Sequence, residues 1–482
     1  METRIDFPRY FLSLHPVRKR VELSGTLDIG GDETVERVFL VLGHRELECA
    51  VSPFERRGRR QVGFQARFVT KTGFKYVQIF ADTGSGRRVR VGRRLLAVCG
   101  RLRSVGIPKS VCGLEPGLNL VGLFRYELGI GEAARLNARA LEAAKIPHAK
   151  VEAPFVCNAA PDNREFEGGY AKTLSKCINL FHFNAPEMRA VHQSWPGVFR
   201  NGQYNIGFWF WELSRLPDSW KPFLKGLDEI WVASEIVREV VSRVSPVPVY
   251  NVGLPVVVPG GAGKGRLSFG LPEDKFLLLC TYDLNSYSSR KNPEGVIEAF
   301  IRASARNPNL HLVLKVNHPE HYPHQLRELQ ARFPENATIL AGTFSRGELS
   351  DLQACCDAFI SLHRGEGFGL NIAECMALGK PVIATAYSGN MEFMTAGNSC
   401  PVDYSMVRIE ETEGSYEKAQ EWAEPSIPDA VDWILKLAED PAFYEGISKQ
   451  AKADIAEKWS PERIGERLNR HYQRILSEKF SG

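Results

Sequence analysis

Short apolar runs alternate with helical stretches from Leu118 onward, and this alternation constrains the fold more than any other feature of the chain. NLVGLF, INLFHF and EIWVAS are strand-like, whereas EAARLNARALEAAKI and SEIVREVVSRV place apolar residues at helical spacing. A second run of the same kind follows the hinge-like stretch PGGAGKGR, with FLLLCTYDL, HLVLKVN and DAFISLH as its strands. Strands that alternate with helices indicate parallel sheets covered by helices, so we predict two successive α/β domains over residues 117–260 and 266–425.

The two ends of the chain follow other patterns. In residues 1–110, runs such as VELSGTLDI, RRQVGFQARFVT and KYVQIFAD are separated by turn signals, with no helical period between them. This pattern predicts a small all-β, sandwich-like domain. Residues 426–482 are helical in pattern, with Ser460 as the N-cap and Pro461 in the first turn of the last helix.

Composition excludes several classes of protein. The 482 residues are 44% apolar and 24% charged, which is typical of globular domains. No run of about 18 apolar residues is present, so we expect no membrane-spanning helix. The first residues carry charges in place of the apolar core of a secretory signal. The ten cysteines are scattered without a CxxC pair, which predicts a reduced, cytoplasmic protein without structural zinc.

Charge is distributed unevenly along the chain. Residues 1–110 contain 22 Lys and Arg against 11 Asp and Glu, a balance of +11, while the remainder sums to −7 within an overall +4. One interpretation is a solvated, arginine-rich face. The other is contact with an anionic partner such as a membrane surface or nucleic acid. Of these partners we expect the membrane and not nucleic acid, so the protein would be cytoplasmic or peripheral at the inner face of the cytoplasmic membrane.

Residues 359–390 carry the most informative motif, a strand followed by a glycine-rich loop and a helix that starts near Leu370. The loop glycines are Gly365, Gly367 and Gly369. Glycines let a ligand approach the backbone closely, and a helix N-terminus is a natural seat for phosphate. Glu366 lies in the loop and Glu374 lies one turn into the helix, so one carboxylate can face a sugar while the other accepts hydrogen bonds from a ribose. The alternative is a generic strand–loop–helix junction with two solvated glutamates.

This segment closely resembles the E-x7-E signature of the retaining glycosyltransferases of family 4, including the continuation ECMALGKPVIAT. The resemblance covers roughly residues 118–480, with the specific motifs in the second α/β domain. It implies the GT-B architecture, in which two Rossmann-like domains face a cleft and the last helices cross back to the first domain. It also implies that Glu366 contacts the donor sugar and Glu374 the nucleotide ribose.

A pair of cations lies in the segment TYDLNSYSSRKNPEGVIEAF. Asn292 and Pro293 are typical of a helix N-cap and first turn, so Arg290 and Lys291 lie just before a helix. There they would neutralise a nucleoside diphosphate as it leaves; the alternative is a basic pair on the surface. The family usually has an arginine about six residues before the lysine, where this chain has Asn285, so Arg290 is the candidate replacement.

Weaker signals complete the predicted site. Gly129 and Gly131 form a loop at the start of the first domain's first helix, where the family has its glycine-rich donor loop. His182 follows the strand INLFHF and, by the resemblance, lines the cleft as a catalytic candidate; a buried structural histidine is the alternative. Glu212, which follows an aromatic run, is a further candidate to line the cleft. The remaining donor-binding candidates are Gly367, Phe368, Gly369, Leu370, Ser388, Gly389 and Asn390.

The resemblance implies a retaining glycosyltransferase that moves a sugar from a UDP- or GDP-sugar to a hydroxyl of a glycan or lipid-linked acceptor. Bacterial surface polysaccharide assembly is the expected setting. The chain contains no Asp-x-Asp motif, so we expect neither a metal ion nor a cofactor. Two alternatives stay open: a nucleotide-sugar epimerase or phosphorylase on the same architecture, and a non-catalytic carbohydrate-binding protein.

Overall fold

The computed structural model of the chain describes the backbone of strands between residues 3 and 98, and residues 114–155, 163–195, 197–200, 202–319 and 322–480. The chain divides into two compact units. The first comprises Met1–Val105, Ala153–Arg164 and Gln193–Trp195, and the second comprises Gly106–Glu152, Glu165–His192 and Pro196–Gly482.

The described part of the first unit is built from antiparallel strands. They are β1 (Thr3–Arg4), β2 (Lys19–Asp28), β3 (Val35–Leu42), β4 (Arg45–Glu48), β5 (Ala50–Arg56), β6 (Arg59–Thr70), β7 (Gly73–Thr83) and β8 (Arg88–Val98). These strands pair into two four-stranded sheets, in the orders β1-β2-β6-β5 and β4-β3-β7-β8. The side chains that would pack the predicted sandwich lie outside the described residues, so the sandwich stays a prediction.

The second unit begins with a six-stranded parallel sheet in the order β10-β9-β11-β12-β13-β14. Its elements are β9 (Glu115–Gly122), α1 (Gly129–Ala143), β10 (His148–Glu152), β11 (Lys176–Phe181), α2 (Ala185–Ser194), β12 (Tyr204–Trp209), β13 (Glu229–Val232), α3 (Glu235–Ser242) and β14 (Val249–Asn251), with 3₁₀ turns at Val198–Arg200 and Asp218–Leu224. Three buried amides cross this sheet, because Asn179 lies in register with Asn119 and Asn205 on the neighbouring strands. Asn119 Nδ2 donates to Asn179 Oδ1 at 2.8 Å, and Asn179 Nδ2 donates to Asn205 Oδ1 at 2.9 Å. Each amide thereby finds a partner in an otherwise apolar core.

A second six-stranded parallel sheet follows, in the order β17-β16-β15-β18-β19-β20. Its elements, after a 3₁₀ turn at Arg266–Phe269, are β15 (Phe276–Asp283), α4 (Ser288–Lys291), α5 (Pro293–Ser304), β16 (Leu310–Asn317), α6 (Pro323–Ala331), β17 (Ala337–Ala341), α7 (Arg346–Cys355), β18 (Ala358–Ser361), α8 (Leu370–Ala377), β19 (Val382–Thr385), a 3₁₀ turn at Gly389–Glu392 and β20 (Cys400–Val402). A hairpin of β21 (Tyr404–Arg408) and β22 (Glu421–Pro425) comes next and has no counterpart in the predicted elements. The fold is therefore α/β with two parallel-sheet, Rossmann-like domains, as predicted.

Three helices end the chain: α9 (Ile427–Glu439), α10 (Pro441–Lys458) and α11 (Pro461–Lys479). Ser460 caps α11 as the sequence indicates, since its side chain accepts a hydrogen bond from Arg463 N at 3.3 Å. Ile464 and Leu468 of α11 share one apolar core with residues of α1. Arg474 donates to the buried Glu229 at 2.6 Å. These contacts fasten the end of the chain to the first Rossmann-like domain. None of the described helices is both long enough and apolar enough to cross a membrane.

Candidate functional site

The predicted motifs lie at the carboxyl ends of parallel strands. In each sheet the strand order reverses beside the first strand, between β9 and β11 in one domain and between β15 and β18 in the other. Ligands of open α/β sheets bind at such reversal points. The loops after β9, β11, β12, β15, β18 and β19 carry the candidate residues.

Glu366 is held by two cations. Lys291 Nζ donates to Glu366 Oε1, and Arg290 Nη1 lies 3.6 Å from the same oxygen. The Glu366 side chain is 13% exposed, that of Arg290 8% and that of Lys291 26%. Burial raises the pKa of Glu366, but Lys291, Arg290 and His363 outweigh burial and lower it to about 2. Glu366 is therefore ionised at neutral pH.

The loops that carry these groups are joined to each other by hydrogen bonds. Arg364 N donates to Arg290 O at 2.8 Å, and Asn292 Nδ2 donates to Leu362 O at 2.9 Å. Asn292 also caps α5, because its side chain accepts a hydrogen bond from Gly295 N at 3.1 Å. The asparagine–proline signal thus fixes both the start of α5 and the position of Lys291 beside Glu366.

Glu374 lies on α8 and is 1% exposed. Arg346, the first residue of α7, donates through Nη2 to Oε1 of Glu374, and Gln353 Nε2 donates to Oε2 at 3.2 Å. Burial raises the pKa of Glu374, and Arg346 and Gln353 oppose that rise. Sequence reasoning missed both partners, because they lie 28 and 21 residues away along the chain.

Two helices begin at the site without a side-chain cap, α1 at Gly129 and α8 at Leu370. Gly369 precedes α8 with φ 88°, a conformation that favours glycine. Gly131 lies so close to the preceding loop that a Cβ there would be 2.6 Å from Leu123 O. The first-turn amides of both helices are therefore open to an anionic ligand.

Glu132 and Arg135, which the sequence left without a role, hold the loop after β9. Arg135 Nε donates to Glu132 Oε2 at 2.7 Å, and Arg135 Nη1 donates to Phe124 O at 2.8 Å. Glu132 Oε1 also lies 3.5 Å from Arg346 Nη2. A line of alternating charges therefore runs from the first Rossmann-like domain to Glu374 in the second.

His182 lies at the end of β11 and is 0% exposed. Asn137 Nδ2 lies 3.0 Å from His182 Nε2, so Nε2 is the acceptor, and the ring stacks on Phe208 at 4.5 Å between centroids. Burial lowers the pKa of His182 to about 3, which keeps the ring neutral. Both contacts are inside the first Rossmann-like domain, and Nδ1 of the ring has no partner among the described residues. The catalytic role of His182 stays a prediction. The structure brings Glu366, Lys291 and Arg290 together and gives His182 other partners.

The loop 388–390 contacts the backbone oxygen of Glu366. Gly389 N donates to Glu366 O at 2.7 Å, and Ser388 Oγ lies 2.6 Å from the same oxygen. Asn390 is fully buried, with Oδ1 3.1 Å from His363 Nε2. Phe368 packs on Phe393 at 5.2 Å between ring centroids, so only its backbone remains for a ligand. The side chains of these predicted donor-binding residues contact other protein residues and so determine the conformation of the loop.

A loop of the first Rossmann-like domain, residues 210–216, contacts the second domain here. Ser388 Oγ donates to Glu212 O at 2.9 Å, and Gln420 Nε2 donates to Arg215 O at 2.8 Å. Tyr416, from the unpredicted β21–β22 hairpin, faces Arg290 with its ring 5.9 Å from the guanidinium carbon. Glu212 therefore contacts the second domain through its backbone oxygen, and its place in the cleft stays a prediction.

Among the described residues, the buried nitrogens without a hydrogen-bond partner include Nε of Arg290, Nε of Arg346 and Nδ1 of His182. A buried N–H without a partner costs about 1–3 kcal/mol unless water or a ligand accepts its hydrogen bond. Within the described ranges, no group of three or more His, Cys, Asp or Glu side chains is placed to hold a metal ion.

Part of the chain is similar to a known protein family. Residues 266–404 match the family model described as Glycosyl transferases group 1. This range contains the Glu366 cluster and Glu374. A comparison with curated protein sequences finds no match.

Solved structures with TM-scores above 0.5 show the same fold at low identity. Sucrose-phosphate synthase from Thermosynechococcus elongatus is 14% identical, with 75% of this chain and 100% of that chain covered and a TM-score of 0.54. Anabaena Alr3699/HepE in complex with UDP-glucose is 13% identical, with 74% and 99% covered and a TM-score of 0.53. A point mutant of S. aureus TarM, in complex with Fondaparinux, alpha-GlcNAc-glycerol and UDP, is 12% identical with a TM-score of 0.46. There 62% of this chain is covered, and it spans only 55% of the TarM chain.

Proposed function

We propose that the protein is a retaining glycosyltransferase that moves a sugar from a UDP- or GDP-sugar to a hydroxyl of a glycan or lipid-linked acceptor. The cluster of Lys291 and Arg290 on the ionised Glu366 carries this proposal, because it lies at the reversal point of the second sheet. The family match over residues 266–404 supports it. So do the uncapped first turns of α1 and α8, which suit a diphosphate.

The proposed chemistry follows from the charges at the site. Glycosyl transfer develops positive charge on the sugar and negative charge on the leaving diphosphate. Lys291, Arg290 and the helix amides would stabilise the diphosphate, and they are in place before the reaction begins. Glu366, ionised and partly exposed, would face the donor sugar, and Glu374 would accept hydrogen bonds from the ribose.

Retention is proposed through a front-face route, in which the leaving phosphate oxygen takes the proton of the acceptor hydroxyl. The new C–O bond then forms on the face that the diphosphate leaves. This route needs no side-chain nucleophile, and the proposal includes no metal ion because the sequence lacks an Asp-x-Asp motif.

A donor screen tests the proposed activity. The full chain is incubated with UDP- and GDP-sugars and a panel of glycan acceptors, and the released nucleoside diphosphate is measured. Acceptor-dependent release is expected, and it should be lost in Glu366→Gln and kept in Lys449→Ala, which changes an exposed lysine on α10. Conversion of the donor sugar without an acceptor would instead identify an epimerase. Sugar binding without release from any donor would identify a binding protein.

The setting that we propose is bacterial surface polysaccharide assembly at the cytoplasmic membrane. The resemblance to family 4 glycosyltransferases suggests polysaccharide assembly, and the +11 charge balance of residues 1–110 suggests contact with an anionic membrane. Each basic residue near anionic headgroups contributes about 1 kcal/mol to membrane attraction. A lipid-linked acceptor would place the enzyme on that surface.

A further inference from the structure

Each oxygen of the Glu374 carboxylate accepts one hydrogen bond from the protein and can accept another. Arg346 occupies one oxygen and Gln353 the other. A carboxylate has about four lone-pair positions, so each oxygen can accept one more hydrogen bond. Two vicinal hydroxyls, such as those of a ribose, match that remaining capacity.

Arg346 is shared between two carboxylates from different domains. Its Nη2 contacts Glu374 Oε1 on α8 and lies 3.5 Å from Glu132 Oε1 on α1. The Arg346 side chain is 23% exposed, whereas Glu132 and Glu374 are both more deeply buried. The two carboxylates therefore compete for one cation in a region where charges interact more strongly than in water.

We propose that Arg346 is a positioning residue for nucleotide binding: it orients the Glu374 carboxylate for the ribose and favours its charged form, while Glu132 opposes it from the other domain. This inference rests on the proposed function, in which Glu374 accepts the ribose hydroxyls. Gln353 assists as a neutral donor that fixes the orientation of the carboxylate without changing the charge balance.

The charges around Glu374 give the two partners opposite effects. The ionisable groups that face it are Arg346 on α7 and Glu132 on α1, with the Cys375 thiol beside it on α8. Burial raises the pKa of Glu374, Arg346 lowers it and Glu132 raises it. Loss of Arg346 therefore moves ionisation of Glu374 to higher pH, and loss of the Glu132 charge moves ionisation to lower pH.

Calorimetry on the full chain tests this inference. UDP and GDP are titrated between pH 5.5 and 9, and the nucleotide that binds is compared with its 2′-deoxy counterpart. The ratio of the two affinities isolates the ribose contact. The variants are Arg346→Gln, Arg346→Lys and Glu132→Gln. The matched control is Arg302→Gln, which changes an exposed arginine that is ion-paired with Glu298 on α5.

In the unchanged protein, removal of the 2′-hydroxyl should weaken binding about five- to a hundredfold, the loss expected when a buried hydrogen-bond partner is left unmade. The pH at which this ratio is half-maximal should rise in Arg346→Gln and fall in Glu132→Gln. It should return towards the original value in Arg346→Lys and stay unchanged in the control. Opposite shifts distinguish an electrostatic role from damage to folding, which would move both variants in one direction.

A ratio that has the same pH dependence in all variants would overturn the inference, and so would shifts of equal sign in Arg346→Gln and Glu132→Gln. If Arg346→Gln does not fold, Glu132→Gln still tests the inference, because a rise or no change in that variant would overturn it. The proposed function fails separately, if neither UDP nor GDP binds the unchanged protein or if Glu374→Ala leaves the ratio unaltered.

Discussion

Replacement of Lys291 by alanine should reduce turnover by about 10²–10³-fold, the usual loss when one preorganised charge-stabilising donor is removed. Lys291 Nζ already lies on Glu366, so it is positioned before a diphosphate arrives. At an effective dielectric constant of 20, two unit charges 4 Å apart interact by about 4 kcal/mol, which is enough for such a loss. Arg290 remains in the variant and limits the effect.

Steady-state release of nucleoside diphosphate measures this effect, with Lys449→Ala as the matched control. We expect kcat to fall while KM for the donor changes little, because the leaving charge develops in the transition state. A loss below tenfold would refute the reasoning and would assign the stabilisation to Arg290 or to the helix amides. Circular dichroism must show that the variant is folded, since Glu366 loses its closest partner.

Three further predictions concern the surroundings of the site. Glu374→Ala should weaken binding of the nucleoside diphosphate by about 1–3 kcal/mol, because ribose hydroxyls lose a buried acceptor; unchanged calorimetric affinity would contradict this. Burial raises the pKa of Glu152 to about 7. Because the unfolded chain releases this proton near pH 4.5, the free energy of unfolding falls as pH rises from 4.5 through 7. The free energy of unfolding of Glu152→Gln should therefore exceed that of the unchanged protein by about 1–3 kcal/mol at pH 8 and should equal it at pH 4.5. Equal denaturant curves at pH 8 would exclude this. The full chain should sediment with anionic but not neutral vesicles and be released by salt, and a variant with glutamine for the arginines of residues 56–60 should sediment less; no sedimentation with either vesicle would contradict the membrane setting.

The strand–loop–helix motifs could be predicted from sequence because their signals are local. The asparagine–proline pair before α5 and the glycines before α8 act within a few residues, and the structure has both helices where these signals indicate. The parallel sheets could likewise be predicted from the alternation of strands and helices. Since the carboxyl ends of parallel strands share one edge, the candidate loops converge there.

The partners of the site carboxylates could not be predicted, because they depend on contacts between distant segments. Nothing near Arg346 in the sequence indicates that it reaches Glu374, and the β21–β22 hairpin that presents Tyr416 has no strong strand signal. The contacts of His182 with Asn137 and Phe208 could not be predicted for the same reason. The role of His182 in the cleft, which the resemblance implies, stays a prediction.

The central claim is transfer of a sugar with retention at the anomeric carbon. The most direct measurement is the proton NMR spectrum of the product, formed by the full chain from a donor and acceptor that give turnover. The coupling constant of the new anomeric proton gives its configuration. We expect the product to have the configuration of the donor, in a reaction that Glu366→Gln abolishes. A product of inverted configuration, or a reaction that proceeds equally well in Glu366→Gln, would contradict it.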